Sequence, residues 1–404
     1  MARRPLPGGS PVRRGLIGLI GIAVATLAIV VAARVGTLLP STAVAATSSP
    51  GPGRSSFVSP APVAPSPTPA PPTAPPPTPA PTPPLVPAPL TGLPVTEAAA
   101  RQHPVAVMID DHEGARPQSG FNRASVVWHA PAEGGVPRYM LVFQDRMPDD
   151  IGPVRSARQY YVEWAAEWNA LYVHAGGSPQ AIQTLIAKGR GQWVWNADEF
   201  RWGGSYLWRA TDRFAPHNVY SDGRHLRDLA DRLGAVDEPI EPVWSFAPDR
   251  ARDVRPNGGT IKVVYPYESI TYRYDVGTNR YIRYLNASKA PQVDRADGQV
   301  VAPKNVVILR MRFGPLNDGH PNKFRLEAQN VGKGEAWIAT NGKTVKGRWS
   351  KASATAPTLL FGPNGAPIRL TAGQTFVQVL PLTYGFEVKD GPPPAWISPQ
   401  HRDP

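Results

Sequence analysis

The chain has 404 residues, no cysteine and a formal net charge of +12 at pH 7. Without cysteine it can form no disulfide, zinc–thiolate site, cysteine nucleophile or lipid-modified cysteine. Six of the 43 basic residues and none of the 31 acidic residues lie within residues 1–90, which leaves a net charge of +6 on the remainder. A surplus of that size fits an anionic polymer or lipid surface. Because no nucleic-acid-binding motif accompanies it, we predict no nucleic-acid partner.

The first 34 residues have the pattern of a membrane anchor. A basic stretch at 1–14 precedes an uncharged apolar run of nineteen residues at 15–33, which Arg34 ends. A helix of that length spans about 28 Å, close to the ~30 Å hydrocarbon core of a bilayer. We therefore predict a single transmembrane helix at 15–33, a cytoplasmic tail at 1–14 and a folded part outside the cytoplasm. A cleaved signal sequence is the alternative, with a cleavage site at 43–45.

Residues 47–90 form a compositionally biased segment that follows the apolar run. It contains 18 prolines in 44 positions, and its only charge is Arg54. Such a composition cannot bury a core and favours extended polyproline II conformation. We predict a disordered linker that holds the folded part away from the membrane.

Residues 92–250 alternate between strand-like and helix-like patterns. The strand patterns lie at 103–112, at 124–145 on either side of a Gly-Gly turn, and at 170–175. The helix patterns lie at 156–168, 179–189 and 221–235. This alternation predicts an α/β or α+β N-terminal domain with some parallel strand pairing.

From residue 258 to 392 the pattern changes to short β-type runs separated by turn residues, as in "TIKVVYP", "ITYRYD", "NVVILRMRF" and "TFVQVLP". Runs of this length and spacing are typical of a sandwich or a barrel. The sequence therefore predicts a second, mainly β domain at 258–392.

Polar side chains cluster where three elements of the first domain end or begin. The clusters are Asp110, Asp111 and His112; Arg155, Ser156 and Arg158; and His174, Gly176, Gly177 and Ser178. Ligands of open α/β sheets bind beyond the carboxyl ends of the strands. We expect these clusters to converge there.

The string "IGPVRSARQY" favours an anion site. Ser156 has the spacing of a helix N-cap with Gln159 in a capping box, and the arginines at 155 and 158 add forked donors for phosphate or carboxylate. In the alternative interpretation, both arginines pair with Asp110, Asp111 or Glu133 in a buried ion network.

The glycine loop "HAGGSPQ" allows two interpretations as well. Gly176, Gly177 and Ser178 precede a helix, as the residues of a phosphate-cradling loop do. The simpler interpretation is a tight turn between a strand and a helix, which glycine permits. We include these three residues among the predicted ligand-binding positions.

Four side chains are candidates for acid–base catalysis: Asp110, Asp111, His174 and His217. A serine nucleophile at 156 or 178 is conceivable, but the sequence has no GxSxG elbow. The same acids and histidines, with His112, could bind a metal if they met in space. They lack any recognised metal-ligand spacing, and we predict no metal and no cofactor.

Several strings carry a family resemblance that runs from Leu90 to Pro381, among them "PVAVMIDDH", "EGGVPRYMLVFQ", "IGPVRSARQY", "YVHAGGSPQA", "APHN" and "GRWSK". The chain resembles the YerB-like lipoproteins, a two-domain bacterial family of unknown function. The resemblance implies a protein of the bacterial cell envelope and supplies no reaction or site residues. Relatives with an acylated cysteine differ from this chain, in which the apolar span takes the place of the lipid anchor.

Three functions remain open on the sequence. The first is a membrane-anchored protein that binds an anionic envelope polymer or lipid head group. The second is an envelope enzyme, a phosphotransferase or hydrolase, that acts on a phosphate-containing substrate. The third is a scaffold for protein interactions. The first agrees best with the paired arginines.

Overall fold

The computed structural model describes residues 84–187 and 193–394. The predicted anchor at 15–33, nearly all of the predicted linker and the end of the predicted helix at 179–189 lie outside these residues. Within the described ranges no helix has the length and apolar character needed to cross a membrane.

The described residues form 22 strands and five α-helices. The strands are β1 (Leu85–Pro87), β2 (Pro94–Thr96), β3 (Val105–Asp110), β4 (Val126–Pro131), β5 (Pro137–Phe143), β6 (Leu171–His174), β7 (Trp195–Asp198), β8 (Trp208–Arg209), β9 (Val219–Tyr220), β10 (Ser245–Ala247), β11 (Gly259–Val264), β12 (Ser269–Asp275), β13 (Arg280–Leu285), β14 (Asn305–Met311), β15 (Phe313–Pro315), β16 (Leu326–Ala328), β17 (Gly332–Thr340), β18 (Lys343–Lys351), β19 (Leu359–Phe361), β20 (Arg369–Thr371), β21 (Thr375–Pro381) and β22 (Phe386–Asp390). The helices are α1 (Glu97–Arg101), α2 (Gln159–Ala165), α3 (Pro179–Ile186), α4 (Glu199–Trp202) and α5 (Gly223–Leu233).

A ten-stranded mixed sheet runs through the folded part in the order β19-β18-β17-β14-β21-β4-β5-β3-β6-β7. β3 pairs with β6 in parallel and with β5 antiparallel, so the predicted parallel pairing is present. β21 pairs in parallel with both β14 and β4. Strands from both halves of the chain therefore share one sheet.

The central strands are apolar on both faces because both faces are covered. In β3, Val105, Val107 and Ile109 belong to a core with α5 and the four-stranded sheet β13-β12-β11-β22. Ala106 and Met108 point to the opposite core, which contains α2 and α3. Successive side chains of a strand alternate between faces. The two aspartates at the end of β3 therefore meet different neighbours.

Two predicted boundaries are wrong. The helix expected over 156–168 begins at Gln159, and a 3₁₀ turn over Ala166–Trp168 follows its end. Ser156 is not its N-cap: Arg158 holds that position, without a side-chain capping bond. The backbone ahead of the helix stays extended because Val154 forms a β-bridge with Ile109, and Ala157 forms one with Gly177.

The predicted linker also extends too far. Its last residues form β1, which pairs with β2, and Leu90 is buried in the core. The amide of Gly92 donates to the Ala88 carbonyl at 2.7 Å and closes this turn. A proline-rich composition therefore hid a short hairpin whose apolar residues reach the core.

Candidate functional site

Asp110 lies at the end of β3 and is the centre of a polar surface that we call the β3-end surface, formed with His112, Arg155 and His217. His217 Nδ1 donates to Asp110 Oδ2 at 2.7 Å, and the Arg155 Nε lies 3.2 Å from the same oxygen. The His112 ring stacks on the His217 ring with centroids 4.7 Å apart. The Asp110 carboxylate thus contacts the guanidinium of Arg155 and the imidazole of His217 through the same oxygen.

Arg155 is only partly satisfied at this surface. Its Nε contact with Asp110 falls short of a hydrogen bond, and its Nη1 lies 3.5 Å from the Pro216 carbonyl. Burial lowers the pKa of Arg155, and the Asp110 charge opposes that shift. The side chain is 25 % exposed. Because Nε is itself buried, a ligand would approach the two outer nitrogens of the guanidinium.

Asp111 lies on the other side of the sheet, in a cluster with His129 of β4 and Glu268, the residue before β12. We call these three residues the carboxylate–histidine cluster. His129 Nε2 lies 2.8 Å from Asp111 Oδ2 and 3.4 Å from Glu268 Oε1. All three side chains are buried. Glu268 lies 139 positions after His129 in the sequence, so the cluster joins two distant segments of the chain.

The cluster has strongly perturbed pKa values. Burial beside the Asp111 carboxylate raises the pKa of Glu268 to about 9. Burial alone would raise the pKa of Asp111, but the His129 hydrogen bond and the Arg116 charge hold it below its usual range. Burial lowers the pKa of His129, against the attraction of Asp111. Perturbed titratable groups of this kind concentrate at functional sites.

Arg116 connects this cluster to solvent. Its Nη2 contacts Asp111 Oδ1 at 3.0 Å and also pairs with Glu268 Oε2. Asp111, Arg116 and Glu268 line a cavity of about 420 Å³, together with His112 and Tyr267. A larger cavity, of about 990 Å³, does not contact this cluster and is lined mainly by apolar residues, including Trp244 and Phe246. The smaller cavity is the chemically relevant one because the buried charges face it.

Arg158, predicted as a ligand-binding residue, belongs to an internal ion network. It pairs with Glu133, which also lies 2.9 Å from Arg138 Nη2. Its side chain is 3 % exposed, and burial lowers its pKa to about 10. Ser156, the other predicted position here, accepts from Arg138 Nη1 through its backbone carbonyl at 3.0 Å. Of the pair of arginines, Arg155 alone faces the β3-end surface.

The glycine loop is a packed turn. The Gly176 amide donates to Asp198 Oδ1 at 3.0 Å, the Ser178 amide donates to the Ala157 carbonyl at 3.1 Å, and Ser178 Oγ caps α3. Gly176 has φ +62°, and a Cβ there would lie 2.8 Å from the Phe200 ring. Left-handed backbone and close packing require glycine at 176. These amides are used within the fold, as in the second interpretation of this loop.

His174 is fully buried at the end of β6. Its Nε2 lies 2.8 Å from Asn196 Oδ1 and its Nδ1 lies 2.8 Å from the Gly176 carbonyl. These polar contacts are with β7 and the glycine loop, whereas Asp110 and His217 form a direct pair. The structure therefore joins two of the four predicted catalytic candidates and places Asp111 and His174 in separate surroundings.

Sequence reasoning missed His129, Glu268 and Arg116. His129 carried a usable signal, because a histidine interrupts the otherwise apolar strand "VVWHAP". Gln378 gives the same signal in "TFVQVLP", and its side chain contacts His129. Glu268 gives none, since an acidic residue in a turn is ordinary.

Comparisons with known proteins agree with the two-part organisation. The model "Protein of unknown function (DUF3048) N-terminal domain" matches residues 90–236, and the corresponding C-terminal domain model matches 261–377. The protein named "Putative lipoprotein YerB" from Bacillus subtilis (strain 168) is 29 % identical over 296 residues, covering 72 % of this chain and 85 % of its own. The crystal structure of the YerB protein from Bacillus subtilis superposes with a TM-score of 0.65 at 25 % identity, over 74 % of this chain and 99 % of that one.

The matched regions cover the β3-end surface, the carboxylate–histidine cluster and the ten-stranded sheet as far as Val377 in β21. Both family domains contribute to the cluster, since Asp111 and His129 lie in the first matched region and Glu268 lies in the second. The resemblance found in the sequence strings is confirmed, and the chain belongs to the two-domain DUF3048 family, to which no function has been assigned.

Proposed function

We propose that this chain is a membrane-anchored protein of the bacterial cell envelope that binds an anionic ligand at the β3-end surface. The similarity to a protein named as a lipoprotein supports an envelope location. The apolar run at 15–33 supplies a single-pass anchor in a chain without cysteine. The ligand is a phosphate or carboxylate group of an envelope polymer or lipid head group.

The observation that carries this proposal is the partly satisfied guanidinium of Arg155. Its side chain is 25 % exposed, its Nη1 makes a long contact of 3.5 Å with the Pro216 carbonyl, and its partner Asp110 is shared with His217. Arginine binds phosphate and carboxylate groups through two parallel donors. An anion that accepts from the outer nitrogens of Arg155 would complete the hydrogen bonding that Asp110 and the Pro216 carbonyl leave unfinished.

Thermal melting of the full-length protein in detergent tests the proposal. Phosphate, pyrophosphate, polyphosphate and anionic lipid micelles are titrated at constant ionic strength. A ligand at one hundred times its Kd adds about 2.7 kcal/mol of stability. We expect a saturable rise in Tm in the wild type and its loss in Arg155→Gln. The matched control is Arg123→Gln, which removes an exposed arginine elsewhere. No rise with any of these anions, or an equal rise in Arg155→Gln, would contradict the proposal.

A second candidate, an envelope hydrolase or phosphotransferase, is favoured by one observation. His217 Nδ1 donates to Asp110, which leaves Nε2 as the basic nitrogen, as in an Asp–His pair that acts as a general base. Hydrolysis of p-nitrophenyl phosphate and bis-p-nitrophenyl phosphate by the wild type and by His217→Gln tests it. Turnover that persists in His217→Gln would exclude this role.

A further inference from the structure

We propose that Asp111, His129 and Glu268 form a binding site for a divalent first-row transition metal, with Zn²⁺ or Mn²⁺ as the occupant. The site is built from both family domains and lies at the floor of the 420 Å³ cavity. None of its three ligands belongs to the β3-end surface, although His112 borders both, and the inference does not depend on anion binding there.

The donor atoms converge as metal ligands do. His129 Nε2 lies 2.8 Å from Asp111 Oδ2 and 3.4 Å from Glu268 Oε1, and one donor atom from each residue lies within 4.8 Å of the others. Ligand atoms bound to a tetrahedral zinc ion at 2.0–2.2 Å are roughly 3.3 to 3.6 Å apart. The distance from His129 to Glu268 falls in that range, and the shorter distance from His129 to Asp111 would lengthen by about 0.5 Å on metal binding.

The outer oxygens of both carboxylates are occupied, and the inner oxygens face the histidine. Arg116 Nη2 contacts Asp111 Oδ1 and Glu268 Oε2, and Gln118 Nε2 donates to Asp111 Oδ1 at 3.0 Å. Glu268 Oε1 is buried and has no hydrogen-bond donor among the described residues. A buried carboxylate oxygen without a donor, aimed at an imidazole nitrogen, is the position that a cation fills.

The ring of His129 is oriented by a hydrogen bond at its other nitrogen, Nδ1. His129 Nδ1 lies 3.0 Å from Gln378 Oε1, and the amide nitrogen of Gln378 donates to the Tyr272 hydroxyl at 2.8 Å. With the amide in this orientation, Nδ1 donates to Gln378, and the hydrogen bond between Nε2 and Asp111 is the contact that a bound metal ion would replace. Metal-binding histidines are held in this way by a second hydrogen bond on the other ring nitrogen.

The donor set selects the metal. One imidazole and two carboxylates suit Zn²⁺ and Mn²⁺ better than Mg²⁺ or Ca²⁺, which prefer oxygen ligands alone. Three protein ligands leave a coordination position open, and Asp111 and Glu268 both line the cavity. That position is free for water or an anionic oxygen, as in zinc sites that keep a fourth position for solvent or substrate.

The competing occupant of this space is a proton. Arg116 already pairs with both carboxylates, and a proton held by Glu268 or by His129 Nε2 would also relieve the repulsion between the inner oxygens. The two occupants differ in a property that can be measured, because only a metal site takes up one metal ion per chain in a saturable way.

Metal content decides between them. The full-length protein in detergent is treated with EDTA, dialysed into chloride buffer without phosphate, and titrated with Zn²⁺ and with Mn²⁺ by calorimetry. We expect one ion per chain in the wild type and no saturable binding in Glu268→Gln, which keeps the shape of the side chain. The control Glu97→Gln removes an exposed carboxylate and should bind as the wild type does. Absence of saturable binding in the wild type, or unchanged binding in Glu268→Gln, would overturn the proposal.

X-ray absorption on the zinc-loaded wild type identifies the ligand atoms directly and requires no variant. A first shell with one imidazole nitrogen and carboxylate oxygens supports the site, and a shell of oxygens alone overturns it. Because neither measurement uses Arg155 or an anion, failure of the metal site leaves the anion-binding proposal standing, and the reverse also holds.

Discussion

At the scale of single residues, one buried pair of opposite charges joins two distant parts of the fold. Lys351 and Glu167 are both fully buried, with Lys351 Nζ 2.8 Å from Glu167 Oε1. Lys351 Nζ also contacts the carbonyls of Glu163 and Ala356, and the Thr358 amide donates to Glu167 Oε2 at 3.0 Å. The pair joins the end of β18 to the turn after α2.

Removing one partner of this pair should be more damaging than removing both. In Lys351→Met the carboxylate of Glu167 stays buried without its cation, which costs about 3–5 kcal/mol of unfolding free energy. We expect the double variant Lys351→Met, Glu167→Gln to recover part of that loss. Urea denaturation of the wild type, the single variant and the double variant measures the effect. Equal stability of the single and double variants would show that packing, not the unpaired charge, is responsible.

Tyr160 should make the protein sensitive to alkaline pH. It is 2 % exposed, its hydroxyl donates to the Pro131 carbonyl at 2.6 Å, and burial raises its pKa to about 12. An unfolded tyrosine titrates near pH 10. The folded state therefore binds the proton more tightly, and this contribution is present below pH 10 and is lost as the pH rises from 10 to 12, up to about 2.7 kcal/mol.

Thermal melting between pH 9 and pH 12 checks this expectation. Tyr160→Phe should show a shallower alkaline decline in Tm than the wild type, because one group no longer has to ionise on unfolding. Tyr267→Phe is the control, since Tyr267 is 70 % exposed, and its decline should follow the wild type. Parallel declines in all three proteins would mean that other groups dominate the alkaline unfolding.

At the scale of elements, the stability of helix α5 depends on its N-cap residue, Asp222. Asp222 is its N-cap and accepts from the His225 amide at 2.8 Å, and Gly234 ends the helix in the left-handed conformation. Loss of an Asp N-cap costs roughly 1 kcal/mol. We expect Asp222→Ala to lower the unfolding free energy by about that amount in urea. Asp228→Ala, on the exposed side of the same helix, should change it by less than about 0.5 kcal/mol. Equal losses in the two variants would contradict a capping role.

The same helix shows what the sequence can predict. Its polar cap, apolar spacing and terminal glycine are local signals, and the helix predicted at 221–235 is confirmed as α5. The strands predicted at 103–112 and on either side of the Gly-Gly turn are likewise confirmed, because continuous apolar runs mark strands with both faces covered. The predicted start of α2 was wrong because β-bridges hold residues 154–157 in an extended conformation. A capping pattern depends only on neighbouring residues, so it contains no information about these bridges.

The candidate site was only partly predictable for the same reason. Asp110 and His217 stand out as polar residues that follow a strand or lie in a loop, and the structure pairs them. Arg158 pairs with Glu133 and is 3 % exposed, which agrees with the ion network that the sequence allowed beside the anion site. Glu268 reaches His129 only because the four-stranded sheet packs on the ten-stranded one. That packing is a property of the whole fold and leaves no mark in the residues around Glu268.

At the scale of the whole molecule, the two family domains cannot be separated along the sheet. β21, from the second half, lies between β14 of its own half and β4 of the first half. We therefore expect one cooperative unfolding transition for the folded part. Differential scanning calorimetry checks this, because the calorimetric and van't Hoff enthalpies agree for a single transition. Two resolved transitions, one for each matched region, would show that the halves unfold independently.

The position of β21 in the sheet also determines when the ten-stranded sheet can be completed during synthesis. β4 is made early, yet its partner on one side is a strand that ends at Pro381. At translation rates of about 5–20 residues per second, the edge of β4 stays without that partner for roughly 12 to 50 s. An apolar strand edge left open for so long is a template for aggregation. Newly made chains, and products truncated before residue 375, are therefore the forms of this protein most in need of a chaperone.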